Sequence, residues 1–495
     1  MFLLGYDIGS SSIKAALVRV DNGEAVGVVQ YPSKEMEIIS NQVGWAEQQP
    51  EIWWENVGLA TSDLLMQCGD VDPSDIKSIG ISYQMHGLVL IDKDQKVLRP
   101  SIIWCDSRAV EIGDRAFANL GNSKCFEHLL NSPGNFTASK LKWVIDNEPG
   151  IIDKADKFML PGDYIAMKLT GEVSTTIQGL SEGMLWDFKE NRPAQILMEH
   201  YGIPDTLVPD YSPCLETSGE LTRQAAAYLG LKAGIPVTYR AGDQPNNAMS
   251  LGVLEPGEIA ATGGTSGVVY GVVEGRVFDE KSRVNGFAHV NHTKEISRIG
   301  VLLCINGAGI QFSWVKNQLV AEGVSYEDME EMIRRIPIGS DELRIIPFGN
   351  GAERMFGNRN PGAHVINLQF NRHRKEHYYR AALEGIAFSF VYGMELMQQM
   401  GIDIKMMKVG NDNLFQSAVF SNTISALMGT EIQVIDTTGA VGAAKASGLS
   451  AGVYSSLKEA YNDQEVLFRY EETSNTARYL EAYENWKTDL GKILQ

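Results

Sequence analysis

Two short turns contain the residue types that bind phosphate groups. The first spans residues 7–14 and the second spans residues 264–267, and each combines glycine with serine or threonine hydroxyls. Glycine lets the backbone bend tightly so that several N–H groups point inward, and the hydroxyls add further donors. The carboxylate of Asp7 could also hold a hydrated Mg²⁺ ion beside a phosphate chain. The residues expected to serve this chemistry are Asp7, Gly9, Ser10, Ser11, Lys14, Gly264, Thr265, Ser266 and Gly267.

Strands must position these turns. Apolar runs at residues 2–4 and 13–20 flank the first turn, and runs at 259–261 and 268–273 flank the second. Each turn is therefore predicted to join two strands, and the repeat indicates two related lobes that hold a phosphate chain between them. Taken alone, the first turn would be a hairpin whose aspartate caps local N–H groups. Neither turn has the spacing of a P-loop or of a dinucleotide-binding glycine motif.

A second group of residues could bind and activate a substrate hydroxyl. Asp243 follows a predicted strand at 236–239, and a carboxylate at a strand end that faces a cleft is a candidate general base. A plain turn former is the alternative. His86 lies at a break between extended segments at 78–82 and 87–91, within what is predicted to be one sheet. Here a histidine packed at a strand end is the alternative to a ligand contact.

The other histidine pattern does not predict a metal site. His373 and His377 are four residues apart beside basic residues, but no third ligand accompanies them. A solvated helix end is therefore the expectation. By contrast, Ser325 with Asp328 three residues later predicts a capped helix at 325–335, and the small residues at 438–447 suit a helix that lies close on a sheet.

Composition narrows the class of protein. The 495 residues, 44% hydrophobic and 21% charged, are those of a globular chain with more than one core. The net charge of −19 argues against a nucleic-acid or anionic-membrane partner. The five cysteines form no C-x-x-C pair, and no run of about 18 apolar residues occurs. We therefore expect a cytoplasmic protein that binds small molecules.

These segments resemble, in order, those of the FGGY carbohydrate kinases, from residue 7 to about residue 448. The most specific match is Met85-His86-Gly87, which is similar to the substrate motif of the family members that phosphorylate xylulose. Other matching segments are residues 45–48, 104–108, 136–143, 242–244, 353–354 and 380–388.

The resemblance implies a fold and a domain organisation. The fold is α/β, with two actin-like lobes of the ribonuclease H type around a central cleft. The N-terminal lobe, 1–245, would bind the sugar and end at the catalytic aspartate, and the C-terminal lobe, 254–450, would bind the nucleotide. Residues 451–495 would form a helical extension.

The resemblance also implies residue roles. Asp243 would be the general base, and Met85, His86, Trp104, Asp106 and Asp243 would contact the sugar. ATP would be held by the two turns together with Gly307, Asp412 and Asn413, and Mg²⁺ by Asp7. The implied reaction is phosphorylation of a pentulose, above all D-xylulose to D-xylulose 5-phosphate.

One segment departs from the family pattern. Residues 410–413, Gly-Asn-Asp-Asn, stand where these kinases have a glycine-rich run against the adenine. Asp412 and Asn413 could cap the helix that follows, and their side chains would narrow the purine slot. We expect weaker and less selective nucleotide binding than the family pattern implies.

Alternatives to D-xylulose phosphorylation remain at this point. Epimers differ by one hydroxyl, so L-xylulose, ribulose or a polyol could be the substrate. A sugar- or nucleotide-binding sensor without turnover is the alternative from another class, although retention of Asp7, Asp243 and both turns speaks against it. The sequence leaves a homodimer open.

Overall fold

The computed structural model describes residues 1–411, 413–462 and 464–495, and only the backbone of Asn413. Within these ranges the chain forms two lobes, each built on a large mixed sheet. The largest apolar cluster combines residues 85–207 of the first half with the second sheet, another fills the first sheet, and two smaller clusters lie where the first sheet meets the helix Gly439–Ser450.

The first lobe is built on a six-stranded sheet with the order β13-β14-β5-β1-β2-β3. Strands β5, β1 and β14 run parallel to one another, and β1, β2 and β3 form an antiparallel meander. The elements of this half are β1 (Phe2–Ile8), β2 (Ile13–Arg19), β3 (Ala25–Tyr31), β4 (Glu47–Gln48), α1 (Pro50–Gln67), β5 (Ile76–Tyr83), β6 (Val89–Ile91), β7 (Ser101–Ile102), α2 (Val110–Leu120), α3 (Asn122–Leu129), α4 (Thr137–Asn147), α5 (Pro149–Ile152), β8 (Lys157–Met159), α6 (Pro161–Thr170), β9 (Ser174–Thr176), α7 (Ile177–Glu182), β10 (Trp186–Asp187), β11 (Arg192–Pro193), α8 (Gln195–Tyr201), β12 (Asp210–Ser212), β13 (Gly219–Glu220), α9 (Arg223–Leu229), β14 (Pro236–Gly242) and α10 (Asp243–Ser250).

The second lobe repeats this plan in a seven-stranded sheet with the order β17-β18-β16-β15-β21-β22-β23. Strands β15, β16 and β18 form the antiparallel meander, and β15, β21 and β22 run parallel. Its elements are β15 (Glu258–Gly263), β16 (Gly267–Glu274), β17 (Asn285–Ala288), β18 (Arg298–Ile305), α11 (Gly309–Leu319), α12 (Tyr326–Arg334), β19 (Arg344–Phe348), β20 (Gly362–Ile366), α13 (Lys375–Gln399), β21 (Met406–Gly410), α14 (Ala418–Met428), β22 (Ile432–Ile435), α15 (Gly439–Ser450), α16 (Leu457–Tyr461), β23 (Val466–Tyr470) and α17 (Thr476–Ile493).

The two sheets thus confirm the predicted repeat of strand, turn and strand. The β1–β2 and β15–β16 hairpins occupy equivalent positions, each beside two further parallel strands. This is the predicted two-lobed arrangement of the actin type. The helix predicted at 325–335 is also confirmed, because α12 is capped reciprocally by Ser325 and Asp328.

Two helices cross between the lobes. Helix α10 follows the first sheet and contacts β15 and β16, whereas α15 follows the second sheet and lies across β1, β2, β5 and β14. The helices also contact each other, and the Asn246 amide donates to the Gly439 carbonyl at 3.0 Å. The small residues of α15 therefore serve close packing, as predicted, but on the sheet of the opposite lobe.

Two expectations about the ends of the lobes need correction. The predicted first-lobe end at residue 245 falls inside α10. The predicted extension at 451–495 is not a separate helical unit, because β23 pairs with β22 and completes the second sheet. Helix α17 packs on the same lobe, where the Trp486 indole donates to the Ile345 carbonyl at 2.9 Å. A five-residue strand between helices gives too weak a pattern to be read from the sequence.

The histidine pair at the start of α13 is buried rather than solvated. His373 and His377 are 9% and 8% exposed. The first shares a hydrogen bond with the Asp341 carbonyl, and the second pairs with the Asp341 carboxylate at 3.1 Å. Across the described residues, no three His, Cys, Asp or Glu side chains form a metal-binding group. None of the helices in those ranges is long and apolar enough to cross a membrane.

Replacement of Gly80 tests the contact between α15 and the first sheet. Gly5 and Gly80 are neighbours in the β1–β5 ladder, and a Cβ on either would overlap a carbonyl oxygen of α15, that of Ala440 or Ala443. We expect Gly80→Ala to lower the free energy of unfolding by about 1–3 kcal/mol or more, because the helix backbone cannot move aside as a side chain can. Gly150→Ala, where the added methyl meets open space, is the matched control. Equal thermal midpoints for the two variants would contradict this packing.

Candidate active site

Ligands of open α/β sheets bind at the carboxyl ends of the parallel strands, and the candidate residues of the first lobe lie at those ends of its sheet. Asp7 lies near the end of β1, opposite Lys14 in β2 and Ser82 in β5. The Ser82 hydroxyl donates to Asp7 Oδ1 at 2.9 Å. Burial raises the pKa of Asp7, and the charge of Lys14 and the bond from Ser82 oppose that rise. Register therefore places a carboxylate and an amine at the first turn.

Asp243 lies at the end of another parallel strand of the same sheet, with β5 between that strand and β1. It is the first residue of α10, directly after β14, and it is half-buried. Burial, followed by the negative charge of Asp7, raises the pKa of Asp243 to about 7. A carboxylate with that pKa accepts a proton from a hydroxyl efficiently near neutral pH. The geometry thus brings together the two aspartates that the sequence singled out.

Hydrogen bonds to the first lobe fix the backbone of the first turn. Within it the Gly9 N–H donates to the Ser12 carbonyl at 3.1 Å. The Gln48 amide donates to the Ser10 carbonyl at 2.7 Å, and the Met36 N–H donates to the Ser11 carbonyl at 2.8 Å. Because carbonyls of the turn bond to the lobe, the side chain of Ser11 is left exposed for a ligand.

The second turn is held by the start of a helix. The N–H groups of Gly309 and Ile310, the first residues of α11, donate to the carbonyls of Gly264 and Thr265 at 3.1 and 3.0 Å. Thr265 and Ser266 are exposed, while Gly267 is buried in β16. Both turns are therefore fixed at the backbone and open at the hydroxyls.

Gly307 lies behind this second turn. It is buried, and a side chain there would overlap the Pro347 carbonyl. This close approach explains the glycine through packing. Its predicted contact with the nucleotide stays a prediction.

His86 adopts a conformation that is unusual for a non-glycine residue. It lies between β5 and β6 with φ of 62°, in the left-handed region. Its ring lies edge-on to Phe136 and near Phe287, with centroids 4.7 and 5.4 Å away. Strand β6 pairs with β8 in a separate small sheet, so the predicted break is between two sheets rather than within one.

The imidazole of His86 is neutral. Burial, and to a smaller extent the charge of Lys140, lowers its pKa to about 3. Its Nδ1 lies 2.9 Å from the Glu182 carbonyl, which can only accept, so Nδ1 carries the proton and Nε2 is left as an acceptor. Met85 packs beside it against Gly242, next to Asp243. An acceptor for a sugar hydroxyl thus lies in a turn that contacts the strand end of the candidate base.

Trp104 and Asp106 differ in their surroundings. Trp104 is 51% exposed, and its indole donates to the Ser10 hydroxyl at 3.2 Å, at the edge of the first turn. Asp106 is fully buried, and its oxygens accept bonds from the Ala46 N–H and from the Arg108 guanidinium. The predicted direct contact of Asp106 with the sugar does not fit this arrangement, because protein donors occupy the carboxylate. Asp106 instead fixes the loop that carries Trp104.

Two basic residues that the sequence analysis did not assign also belong to the site. Lys140 is fully buried and donates to the carbonyls of His86 and Ile103 at 2.8 and 3.0 Å. Burial lowers its pKa to about 7. It therefore ties the His86 turn to the loop that leads to Trp104. Lys140 occurs in a segment that resembles the family, but no spacing pattern marks it as a site residue.

Arg354 joins the two lobes. Its Nη1 donates to the hydroxyls of Ser132 in the first lobe and Ser282 in the second, at 2.7 and 3.1 Å. Its guanidinium also lies over the Phe136 ring, 5.4 Å from the centroid. The sequence places these partners about 70 to 220 residues apart, so only the fold reveals the contact.

The segment that departs from the family pattern lies partly outside the described residues. Asp412 and the side chain of Asn413 are not described, so their predicted nucleotide contacts stay predictions. Helix α14 is capped by Ser417, whose hydroxyl accepts from the Phe420 N–H at 3.2 Å. A short 3₁₀ turn at Asn413–Gln416 precedes that cap, and the expected capping by the side chains of Asp412 and Asn413 lies outside the described residues.

Comparison with known proteins shows the family of this chain. Residues 2–250 match the description "FGGY family of carbohydrate kinases, N-terminal domain". The xylulose kinase of Bacillus subtilis is 28% identical over 502 residues, which cover 98% of this chain and 96% of that protein.

Solved structures share the fold. A xylulose kinase from Rhodospirillum rubrum superposes with a TM-score of 0.88 at 22% identity, covering 100% of this chain and 99% of that one. A gluconate kinase from Lactobacillus acidophilus gives 0.90 at 20% identity, with 100% and 98% covered. The predicted actin-like fold is confirmed, and kinases named for different sugars share it.

The pKa of Asp243 predicts a pH-dependent effect on stability. It is about 7 in the folded protein against 3.8 ordinarily, so the unfolded chain releases this proton at lower pH. Stability is therefore lost as pH rises from about 4 to 7 and stays lower above that. We expect Asp243→Asn to raise the free energy of unfolding at pH 8 by about 1–3 kcal/mol and to change it little at pH 4.

Calorimetry at both pH values measures this difference. Asp146→Asn, which alters an exposed carboxylate in a surface ion pair, controls for a general effect of the lost charge. A gain for Asp243→Asn that is the same at pH 4 and pH 8 would show that its carboxyl is not destabilised by the fold.

Proposed function

Because the chain belongs to the FGGY family of carbohydrate kinases, we propose that it transfers the γ-phosphoryl group of ATP to a pentulose, namely D-xylulose, to form D-xylulose 5-phosphate. One observation carries the proposal. The turn of the neutral His86 contacts the strand end that carries Asp243, because Met85 and the carboxyl that holds His86 both lie against Gly242, and Asp243 in turn interacts with Asp7 of the first phosphate turn. Sugar contact, base and phosphate donors thus meet at one place.

The pocket around His86 suits a ketose. The ring Nε2 accepts a hydrogen bond from a sugar hydroxyl, and Phe136 and Phe287, which contact each other and the imidazole, hold the ring in place. Asp243 takes the proton from the attacking hydroxyl, a role for which a pKa of about 7 is well matched. His86 stays neutral throughout, because its own pKa is about 3.

Phosphoryl transfer depends mainly on positioning and on stabilisation of charge. The hydroxyls of Ser11, Thr265 and Ser266 are exposed on turns whose backbones are fixed, so they can face phosphate oxygens without reorganisation. Lys14 adds a positive charge beside Asp7. These groups bind and orient the triphosphate between the lobes.

The donor set near Asp7 fits Mg²⁺. A Cβ at Gly439 would lie 2.7 Å from Asp7 Oδ2 and 3.1 Å from Asn247 Oδ1, so two oxygens border the same small space. Mg²⁺ prefers oxygen ligands and keeps several waters. Asp7 would hold the ion, which when bound neutralises part of the phosphate charge.

A kinase for another ketose remains the second candidate, because the same fold serves kinases named for different sugars. L-xylulose and ribulose differ from D-xylulose in the configuration of one or two carbon atoms. A single acceptor such as His86 binds only one hydroxyl. A sensor without turnover is less well supported, since it would not need a base whose pKa lies near 7. The homodimer stays a prediction.

A coupled assay of ADP release tests the function directly. ATP is supplied with D-xylulose, L-xylulose, D-ribulose, L-ribulose or glycerol, and we expect the largest kcat/KM with D-xylulose. GTP and CTP in place of ATP then test the expected loss of nucleotide selectivity. ADP release that no sugar stimulates would overturn the proposal.

Removal of the base should abolish turnover. We expect Asp243→Ala to lower kcat by about 10²–10⁴-fold, the usual contribution of a general base, with little loss of ketose binding. The assay above and equilibrium ketose binding measure the two effects. Retention of more than about a tenth of the wild-type kcat would exclude Asp243 as the base.

Replacement of His86 should weaken binding of the sugar but not of the nucleotide. Asparagine tolerates the left-handed conformation, so His86→Asn removes the ring while keeping the turn. We expect KM for the ketose to rise by about 10–100-fold and KM for ATP by less than about threefold. His200→Ala, at an exposed helix end, is the control. Equal increases for both substrates would indicate a structural histidine.

A further inference from the structure

Glu182 is a buried carboxyl to which the proposed reaction assigns no role. It ends helix α7 and is 2% exposed. Its side chain and its backbone both contact His86: Oε1 accepts from the His86 N–H at 3.4 Å, and its carbonyl accepts from Nδ1 at 2.9 Å. One residue therefore holds both the backbone and the ring of the sugar-contacting histidine.

This support matters because the His86 backbone is strained. A non-glycine residue with φ of 62° persists only where its surroundings hold it there. The bond from Nδ1 to the Glu182 carbonyl fixes the ring tautomer and leaves Nε2 as the acceptor. A shift of the turn would move Nε2 away from the hydroxyl that it is proposed to read.

The same carboxyl also contacts the strand that carries the base. Glu182 Oε2 lies so close to Gly242 that a Cβ on that glycine would overlap it. Gly242 directly precedes Asp243 and caps α10. The side chain of Glu182 thus fills the space between the His86 turn and the residue next to the base.

Burial and two nearby carboxyls favour the neutral form of Glu182. Asp243 and Asp163 face it, the latter paired with Arg240 at 3.0 Å, and Lys140 lies on the side of the His86 turn. Burial first, and then these carboxylates, hold the pKa of Glu182 well above its usual range, against the bonds from the His86 N–H and Tyr83. Glutamine is therefore the closest replacement in charge and shape.

We infer that Glu182 is a positioning residue that sets His86 relative to Asp243, so that the hydroxyl bound by one side of the pocket is presented to the base on the other. The inference rests on the proposed function and extends it from the groups that touch the sugar to the group that aligns them. Its loss acts on binding of the ketose and on its alignment with the base, and leaves the phosphate turns unchanged.

Three variants and a control test this role. Glu182→Ala removes the carboxyl, Glu182→Asp withdraws it by one methylene, and Glu182→Gln keeps an oxygen for the His86 N–H. Thr176→Ala removes the cap of the same helix, where the hydroxyl accepts from the Gly179 N–H at 2.9 Å, without touching His86. Each variant is assayed for KM of both substrates, for kcat, for thermal midpoint and for D-xylulose binding by calorimetry without nucleotide.

We expect Glu182→Ala and Glu182→Asp to raise both KM and Kd for the ketose by about tenfold or more, to lower kcat, and to change KM for ATP by less than about twofold. Glu182→Gln should stay within about threefold of wild type for the ketose. Thr176→Ala should lower the thermal midpoint and leave the ratio of the two KM values unchanged. If Glu182→Ala does not fold, the Asp and Gln pair decides the question.

The outcomes separate this inference from the proposed function. Wild-type protein that neither binds nor phosphorylates D-xylulose overturns the function. If the wild-type protein binds and phosphorylates D-xylulose, and Glu182→Asp and Glu182→Gln have equal KM and Kd for the ketose, only the role of Glu182 is overturned. Variants that lose thermal stability in step with Thr176→Ala, and with no separation of the two KM values, show a structural residue.

Discussion

Close contact between helix α15 and the first sheet is the constraint on which the site depends. Gly5 and Gly80 lie side by side in the sheet and leave no side chain between it and the helix backbone. The helix start at Gly439 therefore reaches Asp7, although the helix follows the last parallel strand of the other lobe. With bulkier residues at positions 5 and 80, the helix could not approach the sheet this closely, and the two halves of the site could not meet at the distances observed.

The electrostatics of the site follow from this close packing. Asp7, Asp163, Glu182 and Asp243 are carboxyls drawn from four different elements, and burial raises the pKa of each. Arg240, Lys14 and Lys140 offset the charge only in part. The result is a base that changes charge near neutral pH in a site whose histidine does not. An acidic limb near pH 7 in the activity profile would thus not come from His86.

The parts predicted from the sequence are local. Both turns with their flanking strands, the capped helix α12 and the strand-end position of Asp243 follow from patterns within a few residues. Contacts between distant segments gave no such pattern. Residue spacing does not predict the sheet on which α15 packs. It also does not predict the contact of Asp106 with Arg108, or the hydrogen bonds of His86 with Glu182 and Lys140. The cap at Ser417 was missed because a short 3₁₀ turn displaces the helix start.

The exchange of helices between lobes also bears on how the chain is made. Leu3, Ala16 and Val18 of the first sheet are buried by Ala440, Val441 and Ala444 of α15. These residues leave the ribosome some 420 to 440 positions apart, and the remainder of the first lobe ends near residue 250. At typical rates of synthesis, α15 is therefore made about 10–40 s after the end of that lobe. During that interval an apolar sheet face is open to solvent and to chaperones, so the nascent first half cannot reach its final state before the second half is nearly complete.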